Sequence, residues 1–246
     1  MTYSIIARDP KTGYFGTAVA SRFFAVGAVI PFISKQSAVA TQALVNPVWG
    51  IEGNQLMQAG HSPEQAIAKL KERDNGQAQR QVHMIDKSGQ TAAHTGIQCI
   101  DWAGDMCRQD VSVAGNMLAG PAVLKDMLAC YMDNMALDFA PRLLCAMEAA
   151  EAAGGDKRGR QSAALRIHRG EEFAWLDLRA DDHAHPLNEV RRLLDVAQER
   201  YIHFTDMMGS SNNISGHADR AKIETAIAEA AEKRGDKPTA SLASDP

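Results

Sequence analysis

The chain has 246 residues, of which 45% are hydrophobic and 23% charged, with a formal net charge of −4 at pH 7. This is ordinary globular composition, long enough for one large domain or two small ones and for a sizeable core. The acidic balance implies no basic face and speaks against nucleic acid as a partner, and no apolar run approaches the ~20 residues of a membrane span.

Thr2 to Ala7 is rich in β-branched and aromatic residues and is followed by the turn stretch DPKTG and then YFGTAVASRF. This reads as two strands joined by a short turn. Ala25–Ile33 and Ser37–Val45 are further apolar, β-leaning runs, so the first 45 residues are expected to be mostly strand. A helix is predicted over Gly50–Ala59. A second follows in HSPEQAIAKLKER, where Ser62 as N-cap, Pro63 at N1 and Gln65 at N3 form a capping box. RQVHMI and QTAAHTG flank the turn DKSG and read as a hairpin, and VSVAGNML reads as a short strand. Pro121–Ala153 has the pattern of two helices, broken near Asp133–Asp138 and closed by Gly154-Gly155. QSAALRIHR and EFAWLDLR form another hairpin pattern. HPLNEVRRLLDVAQERY is an amphipathic helix carrying Leu187, Val190, Leu193, Leu194 and Ala197 on one face.

Blocks of antiparallel strands separated by helix pairs predict an α+β fold. The strands alternate too weakly to face solvent on one side, which suits two sheets stacked face to face. We divide the chain into a main domain, residues 1–202, and a polar appendage, 203–246, with a short helix in AKIETAIAEAAEKR and a disordered end in GDKPTASLASDP. The N-terminus lacks the pattern of a signal peptide. Cys99, Cys107, Cys130 and Cys145 form no C-x-x-C or zinc-ribbon spacing and read as reduced thiols of a cytoplasmic protein.

Thr2 is the first candidate for chemistry. If Met1 is trimmed, Thr2 carries a hydroxyl nucleophile and an amine base on one residue. The α-amine has a reference pKa of about 7.7–8.0, so part of it is unprotonated at neutral pH. Threonine is also simply a common second residue. The motifs T-x-S-I-x-A-R-D, V-A-S-R-F, A-T-Q-A-x-V-N-P, H-T-G-x-x-C, G-N-M-L-A-G-P and G-G-D-K-R-G-R-Q-S-A-A-L run from Thr2 to about Leu194. Through them the chain resembles the family catalogued as domain of unknown function 1028, assigned to the N-terminal nucleophile (Ntn) hydrolases.

That resemblance implies a four-layer αββα sandwich, with two antiparallel sheets between helix layers. It implies Thr2 as nucleophile, and a comparison with proteasome-type β subunits. That branch has Asp before Ser-Arg, where this chain has Ala20 before Ser21-Arg22, and it uses a lysine beside the nucleophile, for which Lys35 lies at about the right distance. VAGNMLAG resembles the strand-to-helix turn that stabilises an oxyanion there: Gly115 permits close backbone approach and Asn116 offers an amide. Asp156 and Ser162 resemble an Asp and a Ser that help position the N-terminal amine.

Other polar residues are candidates for substrate binding. Arg22, Arg158 and Arg160 suit a carboxylate through the bidentate guanidinium fork, although a charge run is often only a solvated face. Thr41, Gln42 and Asn46 suit recognition of an amide or carboxylate, or serve equally as turn caps. His94 faces the site or is structural. Asp181, Asp182, His183 and His185 have metal-ligand residue types, but no i, i+4 pairing, and we expect no metal. The leading expectation is an amidohydrolase for a small amide or short modified peptide, homo-oligomeric and needing no cofactor. The alternatives are a small-molecule-binding protein on the same fold and an enzyme using Cys99.

Overall fold

The structure, a computed structural model, describes residues 2–217, 219–235 and 238–243. It divides into two compact units, up to Leu187 and from Asn188 onward. The first unit is a mixed α+β fold built on two antiparallel sheets. Its strands are β1 (Thr2–Arg8), β2 (Phe15–Ser21), β3 (Pro31–Ile33), β4 (Ala38–Ala43), β5 (Arg80–Ile85), β6 (Thr91–Thr95), β7 (Gly104–Arg108), β8 (Val111–Asn116), β9 (Ser162–His168) and β10 (Leu176–Ala180). Between them lie α1 (Pro47–Gln58), α2 (Pro63–Arg73), α3 (Ala122–Asp133) and α4 (Phe139–Ala152).

The larger sheet has the order β10-β9-β2-β1-β8-β7 and the smaller β3-β4-β5-β6. Strand β1 therefore lies inside the larger sheet, paired with β2 on one side and β8 on the other. Its side chains alternate between faces. Ile6 turns toward the smaller sheet, into an apolar cluster with Val19, Ala38, Ala40 and Ile85. On the far face of the smaller sheet, Val39, Val82 and Met84 pack against Trp49, Met57, Ile67 and Leu70 of α1 and α2. Gly50 is what lets α1 come this close, because a Cβ there would stand 2.2 Å from the Phe32 ring. Helices α3 and α4 pack on the larger sheet, where Leu143 and Phe139 crowd the backbone of Gly16.

Most predicted elements recur, including the Ser62–Gln65 capping box, both hairpins and the paired helices around 121–153. Three differ. Ala25–Ile33 is not one strand: Ala25 has φ 52°, Val26–Ala28 form a 3-10 turn, and only Pro31–Ile33 pairs. The Val26 N–H is taken by the Ser162 hydroxyl and the Ala25 N–H by the Asp181 carbonyl, which holds this backbone out of a ladder. Helix α1 begins at Pro47, three residues early, because Asn46 caps it by accepting from the Val48 N–H. Strand β7 was not expected, since Gly104–Arg108 is polar, as suits a half-exposed edge strand.

Between the sheets lies a chain of buried polar groups. Ser4 donates to Gln42 (2.7 Å), Gln42 to Gln81 (2.9 Å), and Gln81 to the Gly115 carbonyl (2.9 Å). His83 bridges Ser4 and Ser112 at 2.9 and 3.1 Å. Each of these side chains is fully buried. Arg142 pairs with Asp9 at 2.9 Å, also buried, and lies over the rings of Tyr131 and Phe139.

The second unit carries all but the first two residues of α5 (Pro186–Val196), which continues through a π-helical turn at Ala197–Tyr201 into α6 (Ile202–Thr205), and then α7 (Arg220–Arg234). In the tail expected to be disordered, Thr239 and Ala240 donate to Glu199, and Ala240 accepts from Arg192. Residues 236, 237 and 244–246 of that tail lie outside the described residues. No helix among the described residues is long and apolar enough to cross a membrane.

Burial pushes His83 down to about 3, against a hydrogen bond with Ser112 that works the other way. The folded state therefore keeps this imidazole neutral while the unfolded chain takes up a proton below pH ~6.5. Stability from this group is complete above that pH and is lost as pH falls toward 3, by about 1.4 kcal/mol per pH unit. Burial lowers His168 too, in the same direction, so the comparison must be with a variant. In urea titrations from pH 6 to 4.5, His83→Gln is expected to show a shallower loss of stability than the parent chain. Parallel curves would mean that His83 is not the group responsible. Arg142→Ala is expected to cost about 3–5 kcal/mol by leaving Asp9 buried and unpaired, measured by the same titration.

Candidate functional site

Thr2 opens β1 and is buried. It pairs with Asn116 of β8, and because Tyr3 pairs with Ala20, it stands beside Ser21 of β2. The Thr2 hydroxyl donates to the Ser21 hydroxyl at 3.2 Å, its one hydrogen-bond partner among the described residues. Thr2 and Ser4 share a face, so this hydroxyl turns toward the smaller sheet. The Asn116 amide donates to the Gln81 Oε1 at 3.0 Å, and Gln42 donates to the same atom. Ser21, Thr2 and Asn116 thus form a row across three strand ends, joined through Asn116 to the buried chain beneath.

The segment after α4 is shaped by its glycines. The Gly155 N–H reaches the Ala150 carbonyl and the Gly154 N–H that of Glu151, both at 3.0 Å, with Gly154 at φ 111°. This is a Schellman ending that needs a left-handed residue. It delivers Asp156 into a buried position, where the carboxylate accepts from the Arg22 and Arg158 N–H groups, both at 2.8 Å, and from the Arg158 guanidinium at 3.2 Å. The Arg22 guanidinium donates to the Arg158 carbonyl. Ser162 donates to the Phe23 carbonyl and accepts from the Val26 N–H. Asp156 and Ser162 therefore brace the chain that follows Ser21, with their hydrogen bonds going to residues 22, 23, 26 and 158. In the turn after Asn116, the N–H groups of Met117, Leu118 and Ala119 donate to the carbonyls of Ile100, Trp102 and Gly155. The Gly115 carbonyl accepts from Gln81. In this turn the Asn116 side-chain amide is the polar group on the Thr2 face.

Beside this row is a cavity of about 460 Å³, lined in part by Tyr3, Ser21, Glu151, Asp156, Arg160 and Ser162. Thr2 does not line it; Ser21 belongs to both. Burial, reinforced by the Glu151 charge, pushes the Tyr3 phenol far above its ordinary value. Tyr3 is a neutral hydroxyl with no hydrogen-bond partner among the described residues. Burial also raises the Glu151 carboxyl, against the Arg160 and His185 charges. Arg160 pairs with Glu151 at 2.9 Å and contacts the His185 Nδ1 at 3.3 Å. The cavity wall thus offers a donor, a guanidinium and a carboxyl to a small polar molecule.

Several candidates lie elsewhere. Thr41 donates to the Asn46 carbonyl, and Asn46 caps α1 and donates to Asp74. His94 contacts the Gln77 carbonyl at 2.9 Å, with its ring 6.0 Å from that of Trp49. Lys35 sits in an exposed turn closed by Ser34 and Ser37, at the end of β4 opposite Gln42, so it is not the lysine that the proteasome comparison sought. Asp181 pairs with Arg179, and Asp182 accepts from Gln161. Among the described residues no cluster of three or more His, Cys, Asp or Glu could hold a metal ion. Tyr3, Ser21, Gln81 and Glu151 were not singled out in the sequence. For Tyr3 and Ser21 the signal was available, since both flank Thr2 in strand register.

The model of a family of unknown function, DUF1028, matches residues 2–190. The chain belongs to the DUF1028 family. A similar solved structure is protein SPO2555 from Silicibacter pomeroyi, also assigned to DUF1028, at 30% identity and a TM-score of 0.83, covering 89% of this chain and 96% of that one. Another is Anbu (ancestral beta-subunit) from Yersinia bercovieri, at 11% identity and a TM-score of 0.38, covering 78% and 92%. No curated protein matches the chain.

Asp156→Ala removes the acceptor of two backbone N–H groups. It is expected to destabilise the first unit by about 2–3 kcal/mol and to speed hydrogen exchange at the Arg22 and Arg158 amides by tenfold or more. Unchanged exchange at those two amides would show that the segment does not depend on this carboxylate.

Proposed function

We propose that the protein is an N-terminal threonine amidohydrolase that acts, once Met1 is removed, on a small amide or a short modified peptide. Met1 itself lies outside the described residues. The observation that carries the reading is the row Ser21–Thr2–Asn116, which fixes the second residue of the chain, with its hydroxyl inward, at the mouth of a buried strand. Two facing antiparallel sheets, with α1 and α2 outside one and α3 and α4 outside the other, support an αββα sandwich of the Ntn-hydrolase type.

The chemistry follows from the residues present. The free α-amine of Thr2 takes the proton of its own hydroxyl, and Oγ1 attacks the substrate carbonyl. For this transfer the Thr2 hydroxyl proton turns from the Ser21 hydroxyl, 3.2 Å away, to the amine, and Ser21 is left to donate to Oγ1. The Asn116 amide, on the same face, donates toward the developing oxyanion. Collapse expels the amine, which takes its proton from the Thr2 α-ammonium, and leaves an acyl ester on Thr2; the α-amine then takes a proton from the water that hydrolyses the ester. The cavity beside Ser21 takes the rest of the substrate, with Tyr3 donating to an acceptor and Arg160 favouring a carboxylate. We place the enzyme in the cytoplasm as a homo-oligomer, working on small molecules without nucleic acid, membrane or cofactor.

A second reading, a small-molecule-binding protein on the same fold, draws on one observation. The N–H groups of residues 117–119, which follow Asn116, already donate to carbonyls.

One experiment separates the two. Untagged protein, Thr2→Ala and Thr2→Ser are screened for amine release from N-acyl amino acids and short capped peptides. The hydrolase reading expects Thr2→Ala to lower kcat/KM by about a thousandfold or more, with partial activity in Thr2→Ser. It also expects Tyr3→Phe to raise KM about tenfold with kcat little changed. Equal binding of a ligand by the parent chain and Thr2→Ala, with no turnover by either, selects the binding protein.

A further inference from the structure

Helices α3 and α4 form an antiparallel hairpin joined through residues 134–138, and they bring two of the four cysteines together. The Cys130 sulfur, in the last turn of α3, lies 2.7 Å from the Cys145 sulfur, in the second turn of α4. That is inside ordinary van der Waals contact for two sulfurs, though longer than the ~2.05 Å of a disulfide bond. Both residues are partly exposed, so a small oxidant can reach them. The other two thiols have separate surroundings: Cys99 donates to the Arg80 carbonyl, and Cys107 approaches Ser112.

We propose that Cys130 and Cys145 are a site of reversible covalent modification, closing to a disulfide that staples α3 to α4 when the thiol pool is oxidised. The oxidant is a low-molecular-weight disulfide such as oxidised glutathione. The Cys145 thiolate attacks one glutathione sulfur, forming a mixed disulfide and expelling one glutathione thiolate. Cys130 then loses its proton to solvent and attacks the Cys145 sulfur, forming the protein disulfide and expelling the second glutathione thiolate. Two electrons pass from the protein thiols to glutathione disulfide, and the expelled thiolates pick up protons as two molecules of reduced glutathione. Cys130 suits the resolving role, because burial, together with the hydrogen bond and charge of Cys145, pushes its thiol up to about 12. Attack on a mixed disulfide already within contact distance offsets its low thiolate fraction.

The bridge would close a short loop, its ends fifteen positions apart in the sequence. Loop-closure entropy for ~15 residues corresponds to a shift of about a hundredfold in the folding equilibrium. Stapling would also fix α4, whose C-terminus delivers Gly154, Gly155 and Asp156 to the cavity wall.

The test uses the full chain, equilibrated in buffers of defined reduced-to-oxidised glutathione ratio, quenched with acid and alkylated. The expected result is loss of two of the four free thiols, a mass lower by two hydrogens, and one linked peptide pair joining the Cys130 and Cys145 peptides. Reduction should reverse all three. Cys130→Ser, confirmed as folded by circular dichroism, should give a glutathione adduct at Cys145, and Cys145→Ser, confirmed likewise, should give no bridge. The oxidised parent should be about a hundredfold more stable in urea than the reduced parent. Four free thiols in oxidised glutathione, a bridge involving Cys99 or Cys107, or stable glutathione adducts on the parent chain without a bridge would each overturn the proposal.

Discussion

The arrangement rests on polar groups sealed between two sheets. Ser4, Gln42, Gln81 and Asn116 form one line of hydrogen bonds, and His83 ties Ser4 to Ser112. A buried amide left without a partner costs about 1–3 kcal/mol, so sliding one sheet past the other would break several such bonds at once. The apolar cluster around Ile6, Val19 and Ile85 supplies attraction without direction. The polar line supplies the direction, and through it the depth at which β1 is held.

That depth decides what happens at the end of β1. Here the strand is flanked by β2 and β8, and its first side chain lies between Ser21 and Asn116. The same constraint explains why Asp156 and Ser162 act at one remove. Their bonds to residues 22, 23, 26 and 158 hold the chain leaving Ser21, and Ser21 in turn holds Thr2. The cavity on the far side of Ser21 is walled by the end of α4 and by Tyr3, so a ligand there and the Thr2 hydroxyl share one intermediate residue.

Much of this was legible in the sequence. Local chemistry marked the Ser62 cap, the glycine ending of α4 and the hairpins, because each depends on a few adjacent residues. Thr2 and Asn116 could be named as candidates, and the structure brings them together. What could not be read depends on distant partners. Gly104–Arg108 is a strand only because β8 pairs with it. Ala25–Ile33 has strand composition but is diverted by Ser162 and Asp181. Lys35 has suitable spacing, yet lies at the wrong end of its strand. The contact between Cys130 and Cys145 follows from the pairing of two helices and not from any cysteine motif.

The central claim is that Thr2 works as a free N-terminal residue. The most direct measurement is the intact mass of the untagged chain after expression from Met1, with N-terminal sequencing of the same sample. The account predicts a mass short by one methionine residue and threonine in the first cycle. Quantitative retention of Met1 would leave the Thr2 nitrogen in a peptide bond, remove the proposed base, and contradict the account.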